Sequence, residues 1–169
     1  DSLRFKPDSS AKPITELPEQ FYMSLALHHL LEWVDKGKVP PRADRIVVDR
    51  GADNRPVMAV DENGNAKGGI RNPYVDVPVV RFSVPNTPHE PPIDKPSAWV
   101  AAHQGGAATM CRLAGYQEAF SKEQLQKMYA SKKNYQDRVK KKLDELEKAG
   151  WSLPVYRSAI LEDAGRVSF

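Results

Sequence analysis

Proline does more than any other residue to limit what this chain can fold into. The 169 residues include 14 prolines, and two clusters fall where they forbid continuous secondary structure. Pro40 and Pro41 end any helix arriving from the N-terminal side, because the ring has no N–H to donate and restricts the residue before it. Between Pro85 and Pro96, five of twelve positions are proline, which reads as a stiff surface connection and not a packed element. Pro7 and Pro13, in a segment without periodicity, make residues 1–14 an extended arm or linker. One segment over 15–169 remains, divided into a helix in 15–44, a β-rich insert in 45–84, a Pro- and Gly-rich loop in 85–110 and a helical tail in 111–169.

Apolar spacing fills these intervals. From Phe21 through Met23, Ala26, Leu27, Leu30, Trp33 and Val34 the period is helical, Pro18 suits a first helical position and Gly37 a C-terminal cap. Leu25 and Leu31 widen the stripe, so the helix is expected to be buried on most of its circumference. Arg45 to Val48 and Pro56 to Val60 read as strands around a turn at Gly51, Asp53 and Asn54. Asp61 to Asn65 is expected to form a tight hairpin with positive φ at both residues of Asn63-Gly64. Tyr74 to Val84 reads as extended chain, with Pro78 at an edge or a bulge. Ser121 with Gln124 fits a capping box, and Phe120 with Leu125 a hydrophobic staple, at the start of a helix. A further helix over about 132–149 carries the stripe Tyr135, Val139, Leu143 and Leu146 and ends at Gly150, before a short helix from Pro154 to Ala164. The isolated chain is therefore expected to be α+β.

Charge excludes some functions. The net charge of +3 comes from 25 basic and 22 acidic residues that are interspersed. The basic cluster Lys132, Lys133, Arg138, Lys140, Lys141 and Lys142 lies among Asp137, Asp144, Glu145 and Glu147, and the one aromatic among them, Tyr135, belongs to the apolar stripe. A solvated helix face fits it better than a nucleic-acid platform. No stretch approaches the ~20 apolar residues of a membrane span, and the first residues do not read as a basic-then-apolar leader. A start at Asp1 without Met raises the expectation of a processed product or a piece of a longer chain.

Acyl-transfer chemistry on an α/β scaffold needs a serine in G-x-S-x-G, on a strand-to-helix elbow that holds its hydroxyl clear. None of the serines has that context, so no catalytic residue is assigned. The lone Cys111 is a buried thiol or half of a bridge to residues outside the chain; pairing with His103 as a nucleophile is the weaker reading. His28 and His29 fit core or domain-contact histidines, with contact to an active site across an interface as the alternative. The histidines and Cys111 lack zinc spacing, Asp61–Asn65 lacks calcium-loop spacing, and Gly68-Gly69 lacks the phosphate-loop residues. No metal or cofactor is expected. Arg71 and Asp76, in otherwise apolar sequence, fit an ion pair or backbone contacts that fix the chain path, with substrate contact as the alternative.

The order LLEWVDKGKVPPRA (Leu30 to Ala43), DENGNAKGGIRNPYVDVPVV (Asp61 to Val80) and CRLAGYQEAFSKEQLQKMYASKKNY (Cys111 to Tyr135) resembles a bacterial family described as an α/β-hydrolase domain. The resemblance covers about residues 19 to 165, and GNAKGGIRNPYVDVPV is its specific part. It implies that these segments form the C-terminal portion of an α/β-hydrolase-like fold, with a β-rich elaboration and C-terminal helices. The parallel sheet, serine elbow and catalytic His would precede them. The implied function is that of a C-terminal part or processed subunit of a serine hydrolase acting on a small-molecule ester or related acyl bond. Its partner would be the upstream part or a companion chain, and Arg71, Asp76, His28 and His29 would be pocket candidates. Cys111 would be bridged to the upstream part in a periplasmic or secreted protein. The reading from another class is a non-catalytic interaction or assembly module.

Overall fold

Local signals account for most of the elements in the computed structural model of the chain, which describes residues 10–87 and 114–169. Helix α1 spans Glu19–Lys36, with Pro18 one position ahead of it, and ends where Gly37 turns left-handed at φ 65° and its N–H reaches the Trp33 carbonyl. Strands β1 (Val48–Arg50) and β2 (Pro56–Met58) pair antiparallel, Val48 opposite Met58. The ladder continues irregularly through Val47, Ala59 and Lys67 to a bridge between Val60 and Ala66. Strands β3 (Val80–Ser83) and β4 (Tyr116–Ala119) form a second antiparallel pair. Helices α3 (Lys122–Tyr129) and α4 (Lys132–Lys148) follow, then a 3₁₀ turn (Pro154–Tyr156) and helix α5 (Arg157–Arg166). The short helix α2 (Pro73–Asp76) comes between β2 and β3 in the sequence. The described residues are thus a mixed α+β arrangement.

The chain divides into two compact units. One consists of the described parts of Asp1–Glu16 and Val80–Ala119. Within it, residues from Ser10 onward of the expected arm are tied to neighbouring chain. Ile14 bridges Tyr116, Gln117 N–H donates to the Pro13 carbonyl at 3.0 Å, and the buried Asn86 donates to the Lys12 carbonyl at 3.0 Å. The other unit, Leu17–Val79 with Phe120–Phe169, contains the main core. There Tyr135, Val139, Leu143 and Leu146 are all buried on one face of α4, and the first three pack with Val77, Leu125, Tyr129, Ile160 and Ala164. The Ser121 capping box forms as read, with Gln124 N–H to Ser121 Oγ at 3.2 Å and Ser121 N–H to Gln124 Oε1 at 2.8 Å.

Four expectations are corrected. Tyr74 to Val84 is not one extended run. Asn72 accepts from Val75 N–H and Pro73 occupies the first turn, so a helical turn forms in spite of the β-branched residues. The strand begins only at Val80, beyond the fully buried Pro78. The segment after 111 is not wholly helical, since β4 precedes α3. Asn63-Gly64 is not a two-residue turn with positive φ at both positions. Only Gly64 is left-handed (φ 82°), and bonds from Gly64 N–H and Asp61 N–H to Asp61 and Asn65 carbonyls give the longer loop with one glycine at its left-handed position. Finally, α1 is not buried on most of its circumference, because Leu25 is its one buried residue.

Leu143 is fully buried at the centre of the α4 face, so Leu143→Ala should lower stability by about 3 kcal/mol in urea titration with an unchanged denaturant slope. Ser121→Ala removes one cap bond and should cost about 1 kcal/mol by the same measurement.

Candidate functional site

The specific stretch of the sequence, Gly64 to Val79, folds into a clamp around Arg71. Its paired glycines are a steric requirement. Gly68 and Gly69 have φ of 77° and 67°, and a Cβ on Gly68 would lie 2.1 Å from the Arg45 carbonyl oxygen. Any side chain there would force the two backbone segments apart. This close approach runs the chain alongside residues 44–47, with Gly69 N–H bonded to the Asp44 carbonyl at 3.1 Å, and delivers Arg71.

The Arg71 guanidinium binds four protein acceptors. Nη2 donates to Asp61 Oδ2 at 2.5 Å and to the Val75 carbonyl at 3.4 Å, while Nη1 donates to the Ala66 carbonyl and Nε to Asp76 Oδ1. Lys142 of α4 binds the other Asp76 oxygen. Each of these four charged side chains is about three-quarters or more removed from solvent. Burial by itself would raise the Asp76 pKa, but the bonds from Lys142 and then Arg71 outweigh it and hold the carboxyl below its usual range. Burial would lower the Arg71 pKa, and Asp76 and Asp61 reverse that effect too. The chain of ion pairs from Asp61 through Arg71 and Asp76 to Lys142 joins the hairpin, α2 and α4.

Aromatic hydroxyls flank this clamp. Tyr74 donates to Asp163 Oδ2 at 2.8 Å, and Tyr129 donates to the Pro78 carbonyl at 2.8 Å. Burial raises the pKa of both phenols well above the ordinary value, Asp163 adding to the effect on Tyr74. Burial of Tyr135, with the nearby Asp163 charge, pushes its hydroxyl up to about 12. Tyr74 and Tyr129 are thus neutral donors at ordinary pH, holding a carboxylate and a backbone carbonyl in place.

The structure brings Arg71 and Asp76 together, as the ion-pair reading requires, with four of the five guanidinium donors directed at protein acceptors. The histidines are separate from this cluster. His29 Nε2–H donates to the Gly150 carbonyl at 2.7 Å, and its ring meets Trp151 edge-on at 6.3 Å. That pins α1 to the end of α4. His28 is exposed, its ring 5.7 Å from that of His29. Cys111, His89, His103 and the Pro- and Gly-rich stretch around them lie outside the described residues. Among the described residues no group of three or more His, Cys, Asp or Glu side chains could hold a metal ion, and no helix is long and apolar enough to cross a membrane.

Two partners in the clamp escape sequence reasoning. Asp61 reads as a turn residue and Lys142 as part of a solvated basic face, yet both are ligands of the cluster. For Asp61 the signal was present, since a turn aspartate that accepts Asn63 and Asn65 N–H through one oxygen has a second oxygen free for a cation. Nothing local distinguishes Lys142 from Lys140 or Lys141 except its position three residues from Val139 and one from Leu143.

Comparison with known proteins gives one family. The model of a family described as alpha/beta hydrolase domain matches residues 3–162. No curated protein and no solved structure matches the chain.

Asp76→Asn keeps the shape and removes the charge that Lys142 and Arg71 share, and it should cost about 2 kcal/mol at neutral pH. Because the folded-state pKa of Asp76 is depressed, its contribution is fully present above the unfolded value of about 4 and is lost as pH falls through the folded value. Urea titrations of both proteins should therefore show the stability gap closing below about pH 4. A gap that stays constant into stronger acid would remove the ionised carboxylate from the account.

Proposed function

Because the chain belongs to the alpha/beta hydrolase domain family, we propose that it is the C-terminal part or a processed subunit of a serine hydrolase cleaving an ester or related acyl bond. It shapes and supports the pocket, while an upstream segment carries the serine, histidine and acid of the triad. Arg71 and Asp76 act in this reading as the brace of the pocket wall. The setting is periplasmic or secreted, with Cys111 bridged to the upstream segment.

The observation that carries this reading is the two-sided apolar character of α1. One side packs within its own unit: Leu25 is buried, Phe21 stacks on Tyr156 with ring centroids 4.3 Å apart, and His29 bonds to Gly150. About half a turn away, Met23, Leu27, Leu30, Leu31 and Val34 are 71%, 55%, 50%, 52% and 74% exposed. At 100° per residue they share one broad stripe, of the width that faces a protein core. A surface helix would carry polar residues there. The valines and methionine of β1 and β2 are likewise exposed. A helix apolar on both sides suits an internal layer of a larger hydrolase.

A fluorophosphonate probe should leave this chain unlabelled when it is assayed alone. The protein extended to its upstream sequence should take up one label, on a serine outside these residues. Stoichiometric labelling of a serine within the chain overturns the proposal, and so does an extended protein with no reactive serine, which returns the chain to a non-catalytic module. Leu30→Asp provides a second measurement. It should change the stability of the isolated chain by less than about 0.5 kcal/mol, as for a solvent-facing position, while sharply reducing the yield of folded extended protein.

A further inference from the structure

We infer that Asn63-Gly64 is a latent site of spontaneous backbone modification, held closed by the Asp61–Arg71 ion pair. An asparagine followed by glycine is open to cyclisation because no Cβ on the next residue hinders approach. In that reaction Gly64 N attacks Asn63 Cγ and a C–N bond closes a five-membered imide. The side-chain amide nitrogen leaves as ammonia, carrying the proton that Gly64 N gives up. Water then opens the imide at one of its two carbonyls. The products are aspartate, or an isomer whose main chain runs through the side-chain carboxyl.

The geometry of the hairpin opposes the first step. Gly64 N–H is donated to the Asp61 carbonyl at 3.0 Å, so the attacking nitrogen is engaged. Asn63 N–H and Asn65 N–H each donate to Asp61 Oδ1 at 2.9 Å, and Asp61 N–H donates to the Asn65 carbonyl at 2.8 Å. Asp61 thus takes part in all four of these bonds, and its remaining oxygen is held by Arg71 at 2.5 Å. Arg71 in turn grips the Ala66 carbonyl on the far side of the loop. Cyclisation requires this turn to open, and opening breaks the ion pair with it.

The isomeric product cannot restore the turn. Aspartate at 63 sets a third carboxylate beside Asp61 and Glu62. The isomer adds a carbon to the backbone and displaces the bridge between Val60 and Ala66. Each opening that proceeds to chemistry is therefore recorded permanently at one residue.

The folded protein and an unstructured peptide covering Asp61 to Arg71 are incubated in mildly alkaline buffer, and amide loss is located by peptide mapping with mass spectrometry. Asn63 should be lost at least about tenfold more slowly in the folded protein, because reaction proceeds only through the opened fraction. Asp61→Asn keeps a side-chain oxygen for the two turn N–H groups and removes only the charge, and it should move the rate several-fold toward that of the peptide. Arg71→Gln should do the same; should it fail to fold, Asp61→Asn alone decides. Equal rates in protein and peptide overturn the inference. A folded Asp61→Asn protein that loses Asn63 no faster than the parent, or loss at Asn54 or Asn65 ahead of Asn63, also overturns it.

Discussion

The Arg71 guanidinium is the interaction on which the second unit turns. Removing four charges from water is expensive, and the mutual attraction of an ion pair recovers that expense only when geometry is good and every polar atom is matched. Here the charges sum to zero, with Asp61 and Asp76 against Arg71 and Lys142, and Arg71 also satisfies two backbone carbonyls. Such a cluster need not add much net stability over an apolar replacement. What it does is select one arrangement, because hairpin, α2 and α4 can meet all four charges in only one register.

The glycines and asparagines of the same stretch follow from that selection. Gly68 lets the chain pass against Arg45, Asn72 caps α2 so that Asp76 faces Lys142, and the nearly inaccessible Asn65 closes the hairpin below Asp61. The most specific stretch of the sequence is thus occupied with internal architecture. Its side chains find partners within the chain, and Arg71 and Asp76 are engaged with one another and with Asp61 and Lys142.

How much of this was legible beforehand depended on range. The capping box at Ser121 and the stripe of α4 are local patterns in which the spacing itself contains the physics, and they appear as read. The turn at α2 was hidden by its β-branched residues, although the Asn72-Pro73 pair was a sufficient start signal and prevailed. β4 went unread because its four residues gain their pairing from β3 and not from any alternation of their own. In the candidate site, the Arg71–Asp76 pair could be read from proximity in sequence. Lys142 could not, because a lysine one residue from a buried leucine looks the same whether its ammonium meets a carboxylate or water.

The apolar pattern of α1 was legible and its burial was not, for a reason that concerns energies. Spacing reports that a helix face is apolar; it does not report what covers it. Five half-exposed side chains on that face leave about 1 kcal/mol each ungained, a sum comparable with the whole stability of a small domain. A chain so marginal has little reason to keep that stripe in water while it spends polar residues such as His29 on the covered side. The expenditure makes sense if α1 is a layer between two bodies of protein. A further body of protein packed against this stripe would supply the missing energy.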